Sequence, residues 1–167
     1  MTRPYGMAQR AFEAYIQACY TARVDPEHTH QSGRRVVQTI GDAPASAGVH
    51  EQDGVDEYGH DYCAAVDISV AHDLSIEQIE TLLLALAANG FAAWWRHTGS
   101  FANNVHVHAT FAGVKMKETL RNQIHDFLAH RNGLVGHDDD QFWVDSLNEH
   151  TTQHIRDLFL ACNPTSG

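Results

Sequence analysis

Residues 75–90, SIEQIETLLLALAANG, constrain the fold more than any other stretch of the chain. Ser75 can cap the start of a helix, Gln78 stands at the capping-box position, and Gly90 can end the helix. The longest apolar run, at 81–91, is broken by Asn89-Gly90 and is shorter than the roughly 18–20 residues that a membrane helix needs. The stretch therefore predicts a buried helix of a globular domain, and we expect no membrane as a partner.

The apolar pattern predicts both helices and strands in the rest of the chain. Near the N-terminus Phe12, Ile16 and Cys19 fall at helical spacing, whereas later short runs have strand composition. In chain order we predict a helix over 5–24, strands over 35–40 and 64–70, the helix over 75–90, strands over 91–97 and 103–112, and helices over 117–130 and 148–161. This order indicates an α+β fold, a small antiparallel sheet with flanking helices in a single domain over 1–167.

Charge and cysteine content exclude several classes of protein. The chain has 11 basic and 21 acidic residues and a net charge of −10, which argues against a general nucleic-acid binder, since such a protein needs a basic face for phosphates. Its three cysteines form no CxxC pair, which argues against a disulfide framework or a thiolate zinc site. The N-terminal residues lack the apolar core of a secretory signal. We therefore expect cytoplasmic synthesis, as for an enzyme released by lysis or associated with a phage.

The run NNVHVHATF places two histidines two positions apart in a predicted strand. Side chains at i and i+2 of a strand point to the same face, so His106 and His108 project together. Two imidazoles on one face can supply metal ligands or an acid/base pair. The alternative is that both face solvent on an edge strand.

Asp67 lies among apolar residues in AAVDISV, where an unpartnered carboxylate would be costly to bury. A divalent cation is one possible partner, and imidazole nitrogens with a carboxylate oxygen form a ligand set suited to zinc. His60 precedes Asp67 by seven positions and completes a candidate triad with His108. The alternative is that Asp67 caps a turn or pairs with an arginine. A further histidine, His50, lies in the long loop over 41–60 that should border the site.

The stretch GHDYCAAVDI, followed by a helix, ANGF and HVH, resembles a family of zinc proteins. These are the zinc D-alanyl-D-alanine carboxypeptidases, the lysostaphin-type endopeptidases and the Hedgehog signalling domain. The resemblance covers about residues 32–112, with 115–167 as a helical extension packed on that core. It implies one zinc per chain on His60, Asp67 and His108. SGRR at 32–35 is similar to the SGYR of the carboxypeptidases, which implies that Arg35 faces a substrate carboxylate.

The resemblance implies a zinc peptidase that hydrolyses an amide bond of a peptidoglycan-type peptide, at a D-amino acid. The chain departs from the family at Tyr58 and Cys63, where members commonly have serine and glycine. It also lacks the glutamate that carboxypeptidases place shortly before the last metal histidine. His106 then becomes the leading general base, as in the lysostaphin-type branch, with His50 or His97 as a second group.

Trp95 is a candidate for lining the substrate groove, although both it and its neighbour could simply pack in the core. Two alternatives to the peptidase remain from the sequence. A non-catalytic zinc-binding module would explain the missing glutamate, and a histidine-rich metal protein without hydrolytic activity would explain the ligands alone. A catalytic site would leave an open groove at the metal, whereas a binding module could cover the metal with a side chain or a partner.

Overall fold

The computed structural model describes residues 5–30, 33–40, 48–144 and 147–165. Helix α2, Ile76–Ala88, begins at the predicted capping box, in which the Ser75 hydroxyl accepts from the Gln78 N–H and the Gln78 side chain accepts from the Ser75 N–H. Gly90 follows with φ +94°, and a Cβ there would lie 2.6 Å from the Leu158 side chain. This position therefore favours glycine for both its backbone conformation and its close packing.

The other predicted helices and strands are also present, with somewhat shorter bounds. The helices are α1, Gln9–Ala22; α3, Glu118–Leu128; and α4, Glu149–Cys162. The strands are β1, Val36–Gln38; β2, Gly54–Val55; β3, Asp61–Tyr62; β4, Ala65–Ser69; β5, Phe91–Arg96; and β6, His106–Phe111. Strands β2 and β3 form a short antiparallel pair that was not predicted and that lies partly within the predicted loop over 41–60, of which 41–47 fall outside the described residues.

Strands β1, β4, β6 and β5 form one sheet in that order, and every neighbouring pair is antiparallel. The predicted α+β class with a small antiparallel sheet is therefore confirmed. In the central pairings Asp67 lies opposite His108, and His108 lies opposite Trp94. In the neighbouring row His106 lies opposite both Ser69 and Arg96.

Strand alternation gives the sheet two different faces. Opposed residues of an antiparallel pair share a face, so Asp67, His106, His108, Trp94 and Arg96 all project to one side. Helix α3 contacts β5 and β6, and it reaches the polar face with the side chain of Gln123. The alternate positions of the same strands are apolar and join the buried core, in which α2 packs against β5 and α1.

The C-terminal helices are joined to the rest of the fold by packing and by specific hydrogen bonds. Helix α4 contacts α2 and α3. The buried Asn163 side chain, just after α4, accepts from the Met116 N–H and donates to the carbonyl of Val114. None of the helices in the described ranges combines the length and the apolar character needed to cross a membrane.

Candidate metal centre

Asp67 lies at the centre of a cluster of histidines on the polar face of the sheet. Its Oδ1 is 2.8 Å from Nδ1 of His108, and its Oδ2 is 3.5 Å from Nε2 of His50 and 3.6 Å from Nε2 of His106. All four side chains are buried. Burial alone would raise the pKa of Asp67, but hydrogen bonds from His108 and His50 and the nearby histidine charges hold it well below its usual range. Asp67 is therefore a carboxylate at neutral pH.

His108 is fixed on both sides of its ring. Nδ1 faces the Asp67 carboxylate, and Nε2 is 2.9 Å from Oε1 of Gln123, which also accepts from the Thr110 hydroxyl at 3.0 Å. A carboxylate can only accept, so Nδ1 carries the hydrogen of its bond to Asp67. The ring also lies 6.0 Å from the Trp94 ring in a stacked arrangement. The sheet and α3 together set the orientation of this histidine.

His50 enters the cluster from the loop before β2. Its ring lies 5.7 Å from that of His108 in an edge arrangement, and its Nδ1 is buried without a hydrogen-bond partner in the described part of the chain. Buried polar nitrogens are normally paired, so Nδ1 is an exception, while Nε2 of the same ring is the nitrogen that faces Asp67. His50 is thus a buried imidazole whose polar capacity is only partly used.

His106 is held in one tautomer by a main-chain carbonyl. Its Nδ1 lies 2.7 Å from the Asn104 oxygen, which can only accept, so Nδ1 carries hydrogen and Nε2 of the neutral ring keeps its lone pair. Burial lowers the pKa of His106, against the opposing charge of Asp67. His106 and Asp67 line the same cavity, and Nε2 of His106, which is 3.6 Å from Oδ2 of Asp67, could accept a proton there.

His50, Asp67 and His108 form a group that could hold a metal ion. One donor atom from each residue can be chosen so that all three lie within 4.8 Å of one another. Ligands that share a tetrahedral zinc at about 2.0–2.1 Å stand roughly 3.4 Å apart, close to the 3.5 Å between His50 Nε2 and Asp67 Oδ2. The shorter contact between Asp67 and His108 is a hydrogen bond, whose proton must leave when a metal binds.

The structure places His60 away from this group. Its Nδ1 lies 3.0 Å from Oδ2 of Asp56, and its side chain is 37% exposed. The Asp56 carboxylate also accepts from the main-chain N–H groups of Tyr58 and His60, which closes the turn between β2 and β3. His50, rather than the predicted His60, joins Asp67 and His108 in the group that could hold a metal ion.

Arg35, the predicted ligand for a substrate carboxylate, is engaged elsewhere. It is 1% exposed and forms a two-bond ion pair with Asp73, at 2.9 Å and 2.6 Å. Its remaining donors reach three main-chain carbonyls, those of Asp25, His28 and Ser69. All of its hydrogen-bonding capacity therefore serves the fold.

Trp95 and His97 stand together at the end of β5, where Trp95, opposite Val107, projects to the face of the sheet away from His108. Their rings stack at 3.6 Å, and both line a cavity of about 570 Å³ that also carries Asp138, Asp139 and Asp140. Trp95 is half-buried, and its Nε1 has no hydrogen-bond partner in the described ranges. Neither residue lines the cavity of the histidine cluster, so the predicted roles of Trp95 in a substrate groove and of His97 as a second group stay predictions.

The histidine cluster opens onto a cavity of about 370 Å³. Two of its lining residues, Arg96 and Gln123, were not identified from the sequence. Arg96 could have been found from strand alternation, because it stands two positions after Trp94 and thus shares the face of His108. No sequence signal marks Gln123, which reaches the site from α3.

Comparison with known proteins does not identify the chain. No family model, curated protein or solved structure matches it.

Proposed function

We propose that this chain is a metal-dependent peptidase whose divalent ion, zinc by the type of its ligands, binds His50, Asp67 and His108. The observation that carries the proposal is a buried carboxylate with two imidazoles from separate segments, at the wall of an open cavity. Structural zinc sites are closed by four protein ligands, whereas three ligands beside a cavity leave a position for water or substrate. The arrangement supports the catalytic kind of site.

A zinc ion bound there would polarise an amide carbonyl and activate a water molecule. Among the protein's own residues, Asp67 and His108 would bind the ion. Asp67 and Gln123 contact the two nitrogens of the His108 ring, and Thr110 donates a hydrogen bond to Gln123. His106, fixed through Nδ1, would take a proton on Nε2 and return it to the leaving amine. Neither step needs the glutamate that the carboxypeptidases use.

The proposed substrate is a peptide of the peptidoglycan type, cleaved at a D-amino acid, and the proposed fold is that of the zinc peptidases and the Hedgehog domain. Support for both comes from the motif resemblance, now with His50 as the first histidine ligand. His50 precedes Asp67 by 17 positions, whereas His60 precedes it by the seven on which the resemblance was drawn. With His50 as the ligand, Asp67, ANGF and HVH are therefore what carries the resemblance.

A non-catalytic metal-binding module is the second candidate. It is favoured by one observation: among the described residues that line the cavity, Asp67 provides the only carboxylate, and we assign it to the metal. No carboxylate would then be left there to act as a general base. The two candidates therefore differ in whether His106 takes that role.

Metal content and cleavage tested together distinguish the candidates. We expect one zinc per chain in wild type, loss of zinc in His50→Ala and His108→Ala, and retention in the matched control His60→Ala. His106→Ala should keep the zinc and cleave purified peptidoglycan about 10²–10⁴-fold more slowly, the usual contribution of a general base. Elemental analysis measures the zinc, and chromatography of released muropeptides measures cleavage.

Three results would count against these assignments. Zinc without cleavage by wild type would leave the binding module. Loss of zinc in His60→Ala, with retention in His50→Ala, would restore the ligand set expected from sequence spacing. The absence of stoichiometric metal in folded wild type would remove the metal centre altogether.

A further inference from the structure

Arg96 is a buried cation at the wall of the candidate metal centre. It ends β5, lies opposite His106 in the sheet, and is 6% exposed. Its guanidinium carbon lies 5.2 Å from the centroid of the Trp94 ring and 5.7 Å from that of Phe101. These rings hold the plane of the guanidinium and stabilise its charge without using its N–H groups.

Most of the hydrogen-bonding capacity of Arg96 is unused. A guanidinium has five N–H donors, and within the described chain Arg96 makes a single hydrogen bond, from Nη1 to the carbonyl of Asn132. No described carboxylate lies within ion-pairing distance, although Asp140 and Asp67 act on it from further away. Burial lowers its pKa to about 10, which still leaves the group charged at neutral pH.

The position of Arg96 connects the two neighbouring cavities. It lines the 370 Å³ cavity together with His50, Asp67 and His108, and it also lines the 570 Å³ cavity. The second cavity carries Asp138, Asp139 and Asp140, whose charges would repel an anion. An anionic group would therefore approach Arg96 from the side of the histidine cluster.

We propose that Arg96 is the anion-binding residue of this cavity and receives a carboxylate of the ligand. For the proposed peptidase this carboxylate is the C-terminal carboxylate of a peptide. This identification of the ligand rests on the proposed function. A planar guanidinium matches a carboxylate with two parallel hydrogen bonds, and its low exposure strengthens such a pair. The role that the sequence resemblance gave to Arg35 is thus assigned to Arg96.

The charges around the site fit this assignment. Without an ion, Asp67 is the negative group closest to the histidines, and it partly offsets Arg96. A divalent ion on Asp67 would reverse the balance, since it brings two positive charges against one carboxylate. The cavity would then carry a surplus of positive charge that a ligand carboxylate could neutralise.

Binding of two matched peptides tests the proposal without any need for turnover. The probes are N-acetyl-alanyl-alanine and its C-terminal amide, which differ in the carboxylate. The proteins are wild type, Arg96→Gln, Arg96→Lys and the control Arg121→Gln, each measured by calorimetry after treatment with chelator and again after loading with zinc. Arg121 is a suitable control because it also bonds a main-chain carbonyl through Nη1 but does not line the cavity.

We expect wild type to bind the acid at least about 10-fold more tightly than the amide, as for a charged hydrogen-bonded pair. The preference should fall to within about 3-fold in Arg96→Gln, remain in part in Arg96→Lys and persist in Arg121→Gln. Equal binding of acid and amide by wild type, or failure of the acid to bind at millimolar concentration, overturns the proposal even if every variant unfolds. An acid preference retained in folded Arg96→Gln also overturns it.

Zinc content, measured on the same samples, separates this result from the proposed function. An acid preference that depends on Arg96 in a protein unable to hold zinc would support the anion site and reject the metal centre. Zinc binding with no preference for the acid would support the metal centre and reject the anion site. The comparison of chelated and loaded protein also shows whether the metal, rather than Arg96, takes the carboxylate.

Discussion

Two buried arginines, Arg35 just before β1 and Arg96 at the end of β5, show how differently the same side chain can be used. Arg35 has all its donors satisfied by Asp73 and three carbonyls. Arg96 lines a cavity and, among the residues that the structure describes, makes one hydrogen bond. Neither is more than 6% exposed, so burial alone does not separate them. The number of satisfied donors does separate them, and it indicates that Arg35 serves the fold and Arg96 serves a ligand.

The largest expected effect that follows from this comparison is on stability. Arg35→Gln would leave the Asp73 carboxylate, whose side chain is 1% exposed, without its cation, and we expect a loss of about 3–5 kcal/mol. Arg96→Gln removes a charge that lacks an ion-pair partner among the described residues, so it should cost at most about 1 kcal/mol. Urea unfolding of both variants in the presence of chelator measures the difference. Equal losses would show that the contrast between the two arginines is mistaken.

The sequence could predict the part of the site that depends on strand periodicity. Asp67, His106 and His108 lie on regular strands, where alternation alone fixes the face of each side chain. His50 lies in a loop without a period, so its approach to Asp67 depends on the path of the chain rather than on spacing. His60 has the expected spacing from Asp67, but the turn between β2 and β3, closed by Asp56, directs it elsewhere.

The long-range contacts of the site explain what else could not be predicted. Gln123 meets His108 across a separation of 15 residues, from a helix whose packing angle the sequence does not specify. The ion pair of Arg35 and Asp73 spans 38 residues. By contrast, the start of α2 depends on Ser75 and Gln78 alone, and this local feature was predicted correctly.

A second expected effect concerns Asp56, which, like Arg35, forms its hydrogen bonds with other residues of the protein. Burial would raise its pKa, but main-chain N–H groups of His60, Gln9 and Tyr58, together with the His60 ring, lower it to about 2. A carboxyl whose pKa is lower in the folded state than in the unfolded state stabilises the protein at pH values above the unfolded pKa, which is near 4. This stabilisation is lost as the pH falls toward the folded pKa. Solvent screening reduces the effect of this shift on stability, so Asp56→Asn should cost about 1 kcal/mol at pH 6, with the difference from wild type shrinking below about pH 4.

Urea unfolding of wild type and Asp56→Asn at several pH values between 6 and 3 checks this prediction. The comparison with wild type removes the contribution of other carboxylates, including Asp67, whose lowered pKa acts in the same direction. A difference that stays constant or grows with acidity would mean that Asp56 is not stabilised as a charged group. The complete set of partners seen around it would then have little energetic importance.

The smallest expected effect is that of His60→Ala, and it sharpens the contrast between the turn and the cavity. The His60 ring contacts Asp56 from a 37% exposed position, while the main-chain bonds that close the turn do not involve the ring. Exposed pairs contribute about 0–1 kcal/mol, so we expect a loss of no more than about 0.5 kcal/mol in urea unfolding at pH 7. A loss several times larger would show that the ring is a necessary part of the turn. His60 would then belong with Arg35 among the residues that hold the fold. The zinc-content control would in that case be repeated with a variant that preserves the turn, such as His60→Asn.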